Sequence, residues 1–317
     1  MSPSEGIVSK VAWPFASVVN RARLGFPRHC FEGTGLLGDD LMGSVVFREL
    51  KKRGARNIAF ATPHRALFEQ NRDVDRLLGQ TYPHRAYWSQ LGLPIVPLTY
   101  TSYQPLTDAD QPPDEHILIK LCRRARLTGL VELRPYLFLT RAEFAAGKMA
   151  ENQVAIQSSG LAAPNSMRNK EWYPSRFQEV CTELRSDVTV IQLGAASDPK
   201  LEGAMDLRGK TSVRQSAAIL AHSLVFIGLV GFLMHLARAV DCRSVILYGG
   251  REKPTQSGYV ANKNLYNQVR CAPCWLRNPC DFDRKCMDLI TSQQVIAAAA
   301  DQIGRYGSLL EVQTAQL

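Results

Sequence analysis

Residues Ser223–Ala237 read SLVFIGLVGFLMHLA, the most apolar stretch of the chain. The stretch is about five residues shorter than the roughly 20 that a membrane-spanning helix needs. Two glycines and His235 also interrupt it. A buried strand, a tight turn and the start of a helix explain this pattern better than a membrane span. The stretch therefore predicts one strand–turn–helix unit of an α/β protein.

Short apolar runs alternate with amphipathic helical segments along the rest of the chain, which is typical of α/β proteins with parallel sheets. The clearest predicted strands are Asn57–Thr62, Leu93–Tyr100, Gln153–Gln157, Val188–Leu193 and Ser244–Tyr248. A helix is predicted from Leu41 to Arg53, and the composition of Pro105–Glu115 predicts a loop. The pattern predicts two Rossmann-like domains that face a central cleft, residues 1–150 and residues 151–317.

Length and composition agree with a two-domain globular protein. The chain has 317 residues, 45% of them hydrophobic and 21% charged. Residues 1–26 lack the uninterrupted apolar core of a secretory signal, so we expect a cytoplasmic protein. The net charge is +9, and most of the excess lies in the first 150 residues. A basic surface favours phosphates, nucleic acid or an anionic membrane as partners, although a merely solvated surface explains it equally well.

Four of the eight cysteines lie within CAPCWLRNPCDFDRKC, at Cys271, Cys274, Cys280 and Cys286. Clustered cysteines in a reducing compartment are more often metal ligands than disulfides. Four thiolates fit a structural zinc or iron ion and leave no open position for water, so a catalytic metal is not expected. Four reduced thiols without metal are the alternative. The other cysteines are isolated and are predicted to lie in the core, at Cys30, Cys122, Cys181 and Cys242.

Five motifs follow one another in a distinctive order. They are GLLGDDLM, SSG followed by NKEWYP, DLRGKTS, GFLMHLARAV, and the cysteine cluster ending in CMDLI. This order resembles glycosyltransferase family 9, the ADP-heptose:lipopolysaccharide heptosyltransferase-like enzymes. The resemblance implies a GT-B fold, in which the first domain binds the acceptor and the second binds the nucleotide-sugar donor. It also implies inverting sugar transfer without a catalytic metal.

The resemblance assigns roles to residues of the first two motifs. Asp39, directly after the second glycine of GLLGDD, corresponds to the general base, whereas an ordinary helix cap is the alternative. Ser158, Ser159 and Lys170 correspond to residues that hold the donor diphosphate. A hydroxyl set and one ammonium group suit a pyrophosphate, and a solvated surface lysine is the alternative for Lys170.

Two further motifs are expected to contact the donor. Thr211 and Ser212 precede a helix, where they could hold a phosphate or simply cap the helix. Gly231 and His235 belong to the segment that meets the donor in the family, although a buried structural histidine is the alternative. The family has an acidic residue at about the position of Val230, so this chain lacks one expected donor contact, and that departure motivates the hypothesis of a transferase that has lost its activity.

The resemblance also implies partners. The donor would be a nucleotide sugar, with ADP-heptose as the first candidate, and the acceptor an anionic glycan, glycolipid or protein. A peripheral contact with the inner membrane would fit such an acceptor. Related heptosyltransferase-like proteins that modify autotransporters carry cysteine-bound iron, which keeps iron as an option. The rival hypotheses are a catalytically degenerate scaffold and a metal-stapled nucleic-acid-binding protein. Nucleic acid is not expected, because basic tracts interleaved with aromatic residues are missing from the sequence.

Overall fold

The computed structural model describes residues 27–79 and 83–314. The segment in which no secretory signal is found, residues 1–26, lies outside the described residues. The strands are β1 (His29–Glu32), β2 (Ile58–Ala61), β3 (Arg76–Leu78), β4 (Ile95–Pro97), β5 (Tyr103–Gln104), β6 (Ala109–Asp110), β7 (Gln153–Ile156), β8 (Thr189–Gln192), β9 (Met205–Asp206), β10 (Ser223–Leu229), β11 (Ser244–Tyr248) and β12 (Asn262–Tyr266). The helices are α1 (Leu37–Lys52), α2 (Pro83–Gln90), α3 (Ile117–Arg124), α4 (Arg141–Ala146), α5 (Pro174–Leu184), α6 (Val213–Ala221), α7 (Phe232–Ala239), α8 (Pro254–Ser257), α9 (Lys285–Asp288) and α10 (Ser292–Thr314).

The strands of the described residues form two parallel sheets and one short hairpin. The first sheet has the order β3-β2-β1-β4, and the second has the order β12-β11-β10-β7-β8-β9. In the first sheet Cys30 lies opposite both Ala59 and Ile95. The antiparallel pair β5–β6 forms the hairpin. This architecture confirms the predicted α/β class with two Rossmann-like units. The predicted division between residues 150 and 151 falls between α4 and β7, and its position stays a prediction.

Most predicted elements lie where the sequence indicates them. Ser223–Ala237 contains β10, a turn and most of α7, and no helix in the described part of the chain is long and apolar enough to cross a membrane. β11 matches its predicted bounds. The helix predicted from Leu41 begins earlier, at Leu37. The predicted loop at Pro105–Glu115 contains β6, so it is not wholly irregular.

The two halves share one apolar core. Within the first half, the ring of Phe47 on α1 lies 5.6 Å from that of Phe31 and 4.8 Å from that of Phe60, measured between centroids. The same apolar cluster continues to Leu236 of α7 in the second half. A Cβ atom placed on Gly38 would lie 3.6 Å from Cα of Phe232. The starts of α1 and α7 are therefore packed closely against each other.

A second apolar cluster lies on the other face of the second sheet. It contains Phe177 and Val180 of α5 together with Val295 and Ala299 of α10. Helix α10 packs against α5 as well as against β10 and β11. The isolated cysteines Cys30, Cys122, Cys181 and Cys242 are all buried, as the sequence predicts.

Candidate functional site

Asp40 secures the turn between β1 and α1. Its side chain is fully buried; Oδ2 accepts a hydrogen bond from Thr62 Oγ1 at 2.5 Å, and Oδ1 accepts one from the Gly35 amide at 3.3 Å. A Cβ atom on Gly33 would lie only 2.3 Å from Oδ1 of Asp40, so this position needs glycine. Asp40 therefore fixes the start of α1 against the end of β2, which is a structural role.

Asp39 occupies the same helical turn but is only half-buried. Its Oδ2 accepts a hydrogen bond from Thr34 Oγ1 at 3.2 Å, and the Tyr100 hydroxyl also donates to it. Burial raises the pKa of Asp39 to about 6; the charge of Asp40 adds to this effect, while the Thr34 bond and the positive charge of Lys170 oppose it. A carboxyl group with such a pKa can accept a proton near neutral pH.

Lys170 belongs to the second half of the chain, where it ends a 3₁₀ turn that follows β7 of the second sheet. Its Nζ lies 2.7 Å from Oε1 of Glu252, and Arg251 Nη1 donates to the same oxygen at 3.0 Å. Ser257 Oγ donates to Oε2 of Glu252 at 2.5 Å. Burial opposes the charge of Glu252, but Lys170 and Arg251 outweigh it and lower its pKa to about 2. The carboxyl end of the second sheet (the second edge) therefore carries a buried carboxylate with two cations beside it.

The start of α7 packs against the turn that carries Asp39, since a Cβ atom on Gly38 would lie 3.6 Å from Cα of Phe232. Gly231 is the residue before the helix, the helix start carries no side-chain cap among the described residues, and a Cβ atom on Gly231 would meet open space. Exposed amides and the helix dipole make such a start suitable for an anion. Val230 is buried with apolar neighbours. The predicted contact of Gly231 with a donor stays a prediction, and the apolar side chain of Val230 supplies no carboxylate there.

His235 is a buried residue rather than one that projects into open space. Its Nδ1 is 2.5 Å from the Tyr259 hydroxyl. Burial, with a further contribution from the charge of Lys170, lowers the pKa of His235 to about 3. The imidazole is therefore neutral at pH 7. Lys170 is close enough for its positive charge to disfavour protonation of the ring. The predicted contact of His235 with a donor stays a prediction.

Ser158 and Ser159 are buried and hydrogen-bonded within the second half. Ser158 Oγ donates to the Pro199 carbonyl at 2.6 Å and accepts from Gln192 at 2.9 Å. Ser159 Oγ donates to Glu171 Oε2 at 2.8 Å. Both hydroxyls thus support the loop that follows β7, and neither is exposed in this structure. The predicted contact of these two hydroxyls with a donor diphosphate stays a prediction.

Thr211 and Ser212 serve the start of α6. Ser212 accepts from the amide of Gln215 at 3.2 Å, and Gln215 Oε1 accepts from the amide of Ser212 at 2.8 Å, which forms a capping box. Thr211 Oγ1 lies 2.8 Å from Ser216 Oγ. The structure thus contains the helix cap that the sequence allowed, and the predicted contact of Thr211 and Ser212 with a donor stays a prediction. Both residues also line a cavity of about 720 Å³ between α4 and α6.

The four clustered cysteines do not converge on a point. Among the described residues, no group of three or more His, Cys, Asp and Glu side chains is placed to hold a metal ion. Cys271 and Cys286 are close enough to Cys274 to raise its pKa, although burial contributes more. Sγ of Cys280 accepts the amide of Arg284 at 3.3 Å. The donor set has the chemistry of a thiolate site, but the predicted metal site is not confirmed.

Sequence reasoning missed Tyr100 and assigned Glu252 no definite role. Tyr100 ends the predicted strand Leu93–Tyr100, and Glu252 follows the glycine pair after β11. Both therefore lie at the carboxyl ends of parallel strands, where ligands of such sheets bind. That position was a usable signal for each of them.

Comparison with known proteins supports the resemblance to the family and the fold. Residues 138–284 match the model of glycosyltransferase family 9 (heptosyltransferase). No curated protein matches the sequence.

Three solved structures illustrate the similarity of fold. A family 9 glycosyltransferase from Veillonella parvula has a TM-score of 0.65 and 14% identity, with coverage of 88% of this chain and 97% of that one. E. coli ADP-heptose lipopolysaccharide heptosyltransferase II has a TM-score of 0.66 and 13% identity, with coverage of 88% and 99%. TibC, an iron-containing dodecameric glycosyltransferase from enterotoxigenic E. coli, has a TM-score of 0.66 and 19% identity, with coverage of 88% and 77%.

These matches agree with the motif order and with the two-sheet architecture. The resemblance to glycosyltransferase family 9 is therefore confirmed by sequence over residues 138–284, and the solved structures support the GT-B fold over most of the chain.

Proposed function

We propose that this protein is an inverting glycosyltransferase that moves a sugar, with heptose as the first candidate, from a nucleotide-diphosphate donor to an acceptor hydroxyl. The observation that carries the proposal is the position of Asp39. Asp39 is a half-buried carboxyl group with a raised pKa at the carboxyl end of the first sheet (the first edge). Lys170, on the second edge, is close enough for its positive charge to act on that pKa.

The proposed reaction is one displacement. The acceptor oxygen forms a bond to the anomeric carbon while the bond from that carbon to the diphosphate oxygen breaks. Asp39 takes the proton of the acceptor hydroxyl, and the nucleoside diphosphate leaves with the electron pair. Attack from the face opposite the leaving group inverts the anomeric centre. No bound metal is needed for either role, because a carboxylate accepts the proton and cations compensate the leaving charge.

Lys170 and the start of α7 would hold the donor diphosphate. Lys170 is a charged donor with about a fifth of its side chain exposed. The uncapped amides near Gly231 would add neutral donors. Arg251 and Glu252 keep Lys170 in place through the bonds described above. The hydroxyls of Ser158 and Ser159 would contribute indirectly, by holding the loop between β7 and Lys170.

The similar structures suggest the donor class. One solved structure of TibC is a complex with ADP-D-β-D-heptose, with a TM-score of 0.66 and 17% identity to this chain. We therefore place ADP-heptose first among candidate donors, and an anionic glycan, glycolipid or protein among candidate acceptors. The net charge of +9 suits an anionic acceptor, and a cytoplasmic protein at the inner membrane surface would meet one.

A structural metal at Cys271, Cys274, Cys280 and Cys286 is part of the proposal. The four-thiolate spacing supports it, as does the iron content of the similar protein TibC. Such an ion, zinc or iron, would stabilise the fold of the loop and take no part in the transfer.

The function is tested with a thermal-shift panel of nucleotide sugars, nucleoside diphosphates and nucleosides. A ligand at about 100 times its dissociation constant stabilises the protein by roughly 2.7 kcal/mol. We expect a response to one diphosphate and its sugar but a much smaller response to the matching nucleoside. No response to any diphosphate would argue for the degenerate-scaffold hypothesis, and salt-dependent nucleic-acid binding would argue for the other rival.

The metal is tested by elemental analysis of the purified protein. We expect about one zinc or iron ion per chain, and Cys274→Ser should lower both metal content and melting temperature, because binding energy at a structural site is folding energy. Cys181→Ser is a control for loss of a thiol, since Cys181 is an isolated core cysteine and should leave the metal content unchanged. Metal-free protein with unchanged stability would refute this part of the proposal.

A further inference from the structure

Asp110 is a buried carboxylate of the first half of the chain that binds side chains of the second half. It lies on β6 of the hairpin and is 2% exposed. Its Oδ2 accepts from Arg251 Nη2 and from Arg277 Nε, the latter at 3.1 Å. Its Oδ1 accepts from Arg277 Nη2 at 2.6 Å. One carboxylate thus binds two arginines from the other half of the chain, which is a strong, directional arrangement.

Backbone contacts hold this carboxylate in place. The amide of Asp110 donates to the carbonyl of Trp275 at 3.0 Å, and the amide of Arg277 donates to the carbonyl of Asp108 at 2.8 Å. The Arg251 guanidinium lies 4.7 Å from the centroid of the Trp275 ring. The hairpin and the segment between Cys274 and Cys280 are therefore bonded to each other, and together they keep the Arg251 guanidinium in place.

Arg251 connects the hairpin and this segment to Lys170. One side of its guanidinium bonds to Asp110, and the other bonds to Oε1 of Glu252, the same oxygen that accepts from Lys170. If Arg251 lost its bond to Asp110, it would be free to shift onto Glu252 and compete with Lys170 there. The direction and strength of the Lys170–Glu252 pair thus depend on a residue that does not touch Lys170.

We propose that Asp110 is a positioning residue for the transfer site, which acts through Arg251 and Glu252 to set the placement and charge of Lys170. The inference rests on the proposed function only for the purpose of Lys170, since the chain of contacts is independent of any ligand. The other charged or titratable groups that face Lys170 are Asp39 and His235.

The test measures how fast Lys170 is acetylated by a small acylating reagent, with mass spectrometry and without ligand. Burial lowers the pKa of Lys170 most, Glu252 raises it and Arg251 lowers it, while the direct charge of Asp110 makes the smallest of these contributions. Asp110→Asn should let Arg251 pair more fully with Glu252 and so weaken the Lys170–Glu252 pair. The labelling rate at pH 8 should therefore increase by about threefold or more. Asp108→Asn is the matched control, because Asp108 lies in the same hairpin and bonds to Asn278 but does not contact Arg251. It should leave the rate within about 1.5-fold of the wild type.

The route through Arg251 gives a stricter test. Arg251→Gln should slow the labelling of Lys170, because Glu252 then pairs with Lys170 more fully. In that background, adding Asp110→Asn should have little further effect. A full effect of Asp110→Asn in the absence of Arg251 would mean that the Asp110 charge acts directly, and it would overturn the proposal. Equal labelling of Asp110→Asn and wild type would overturn it as well.

Two additions keep the result independent of folding and of function. Asp110→Glu retains the charge and should label within about twofold of the wild type. If Asp110→Asn does not fold, as judged by circular dichroism, Arg251→Gln and Asp110→Glu still decide the question: slower labelling of the first and nearly unchanged labelling of the second are expected, and labelling of Arg251→Gln at the wild-type rate would overturn the proposal. Protection of wild-type Lys170 by ADP is recorded separately, so that failure of the proposed function, which is lack of protection, is distinguishable from failure of the positioning role.

Discussion

Each of the two sheet edges that face each other carries a carboxylate, and the pKa values of these two carboxylates are shifted in opposite directions. On the first edge, Asp39 has hydroxyl partners, Thr34 and Tyr100, and its pKa is raised to about 6. On the second edge, Glu252 is more deeply buried, yet the neighbouring cations Lys170 and Arg251 lower its pKa to about 2 against the effect of burial. The opposite pKa shifts therefore come from the neighbouring side chains rather than from the depth of burial.

This contrast indicates which edge handles protons and which handles charge. A carboxylate whose neighbours leave it only partly compensated gains from accepting a proton, as Asp39 would in transfer. A carboxylate saturated by cations keeps its charge, and Glu252 therefore holds Lys170 in place. The first edge is suited to proton transfer, and the second to an anionic leaving group.

The largest expected effect is on the first edge. Asp39→Asn keeps the shape of the side chain but cannot accept the proton, so the transfer rate should fall by about 100-fold or more. The measurement is turnover with the donor that the thermal-shift panel identifies. Asp40→Asn is the control, and it should lower the free energy of unfolding by about 1–3 kcal/mol through its lost bonds while it affects turnover of the folded protein less. If Asp40 proved the sensitive residue, the assignment within this turn would be off by one.

The next effect is on the second edge. Lys170→Ala should weaken binding of ADP by about 10- to 100-fold, because a charge-assisted hydrogen bond contributes roughly 1.5–3 kcal/mol. Binding of adenosine, which lacks the diphosphate, should change little, and calorimetry with both ligands separates the two. Lys200→Ala is the control, since Lys200 is exposed and pairs with Glu202 at the surface. Equal losses for ADP and adenosine would place Lys170 away from the diphosphate.

The smallest effect concerns stability. The folded protein favours protonated Asp39, since its pKa rises from 3.8 to about 6, so the wild type loses stability as the pH rises through this interval. Asp39→Asn has no such loss and should be more stable than the wild type by about 1–2 kcal/mol above pH 6.5. The advantage should vanish below pH 4. Urea unfolding across this pH range would show it, and a constant difference would mean that Asp39 is not strained by burial.

The sequence predicted the strands well because buried parallel strands are short apolar runs with clear ends, as in Ser244–Tyr248. It placed the start of α1 four residues late. Leu36 precedes that helix without a side-chain cap, so the usual polar signal of a helix start is missing, and the acidic pair comes inside the first turn.

The site was only partly predictable, for reasons of orientation and distance. Ser158 and Ser159 are the right residue types at the end of a strand, but their hydroxyls turn inward to Pro199 and Glu171, which no local pattern reveals. Asp110 and Arg251 are 141 positions apart in the chain. Their pairing arises only when the hairpin of the first half meets the loops of the second. Tertiary packing of this kind leaves no trace in a single sequence.

The most direct measurement is the titration of Asp39 by NMR, with the aspartate carboxyl carbons labelled with ¹³C and the resonance assigned through Asp39→Asn. If the two edges form one site, Asp39 should titrate near pH 6 in the wild type. Its pKa should rise further in Lys170→Ala, because the positive charge of Lys170 lowers it. A midpoint near pH 4 that Lys170→Ala leaves unmoved would contradict both the role of Asp39 as a base and its proximity to the donor side.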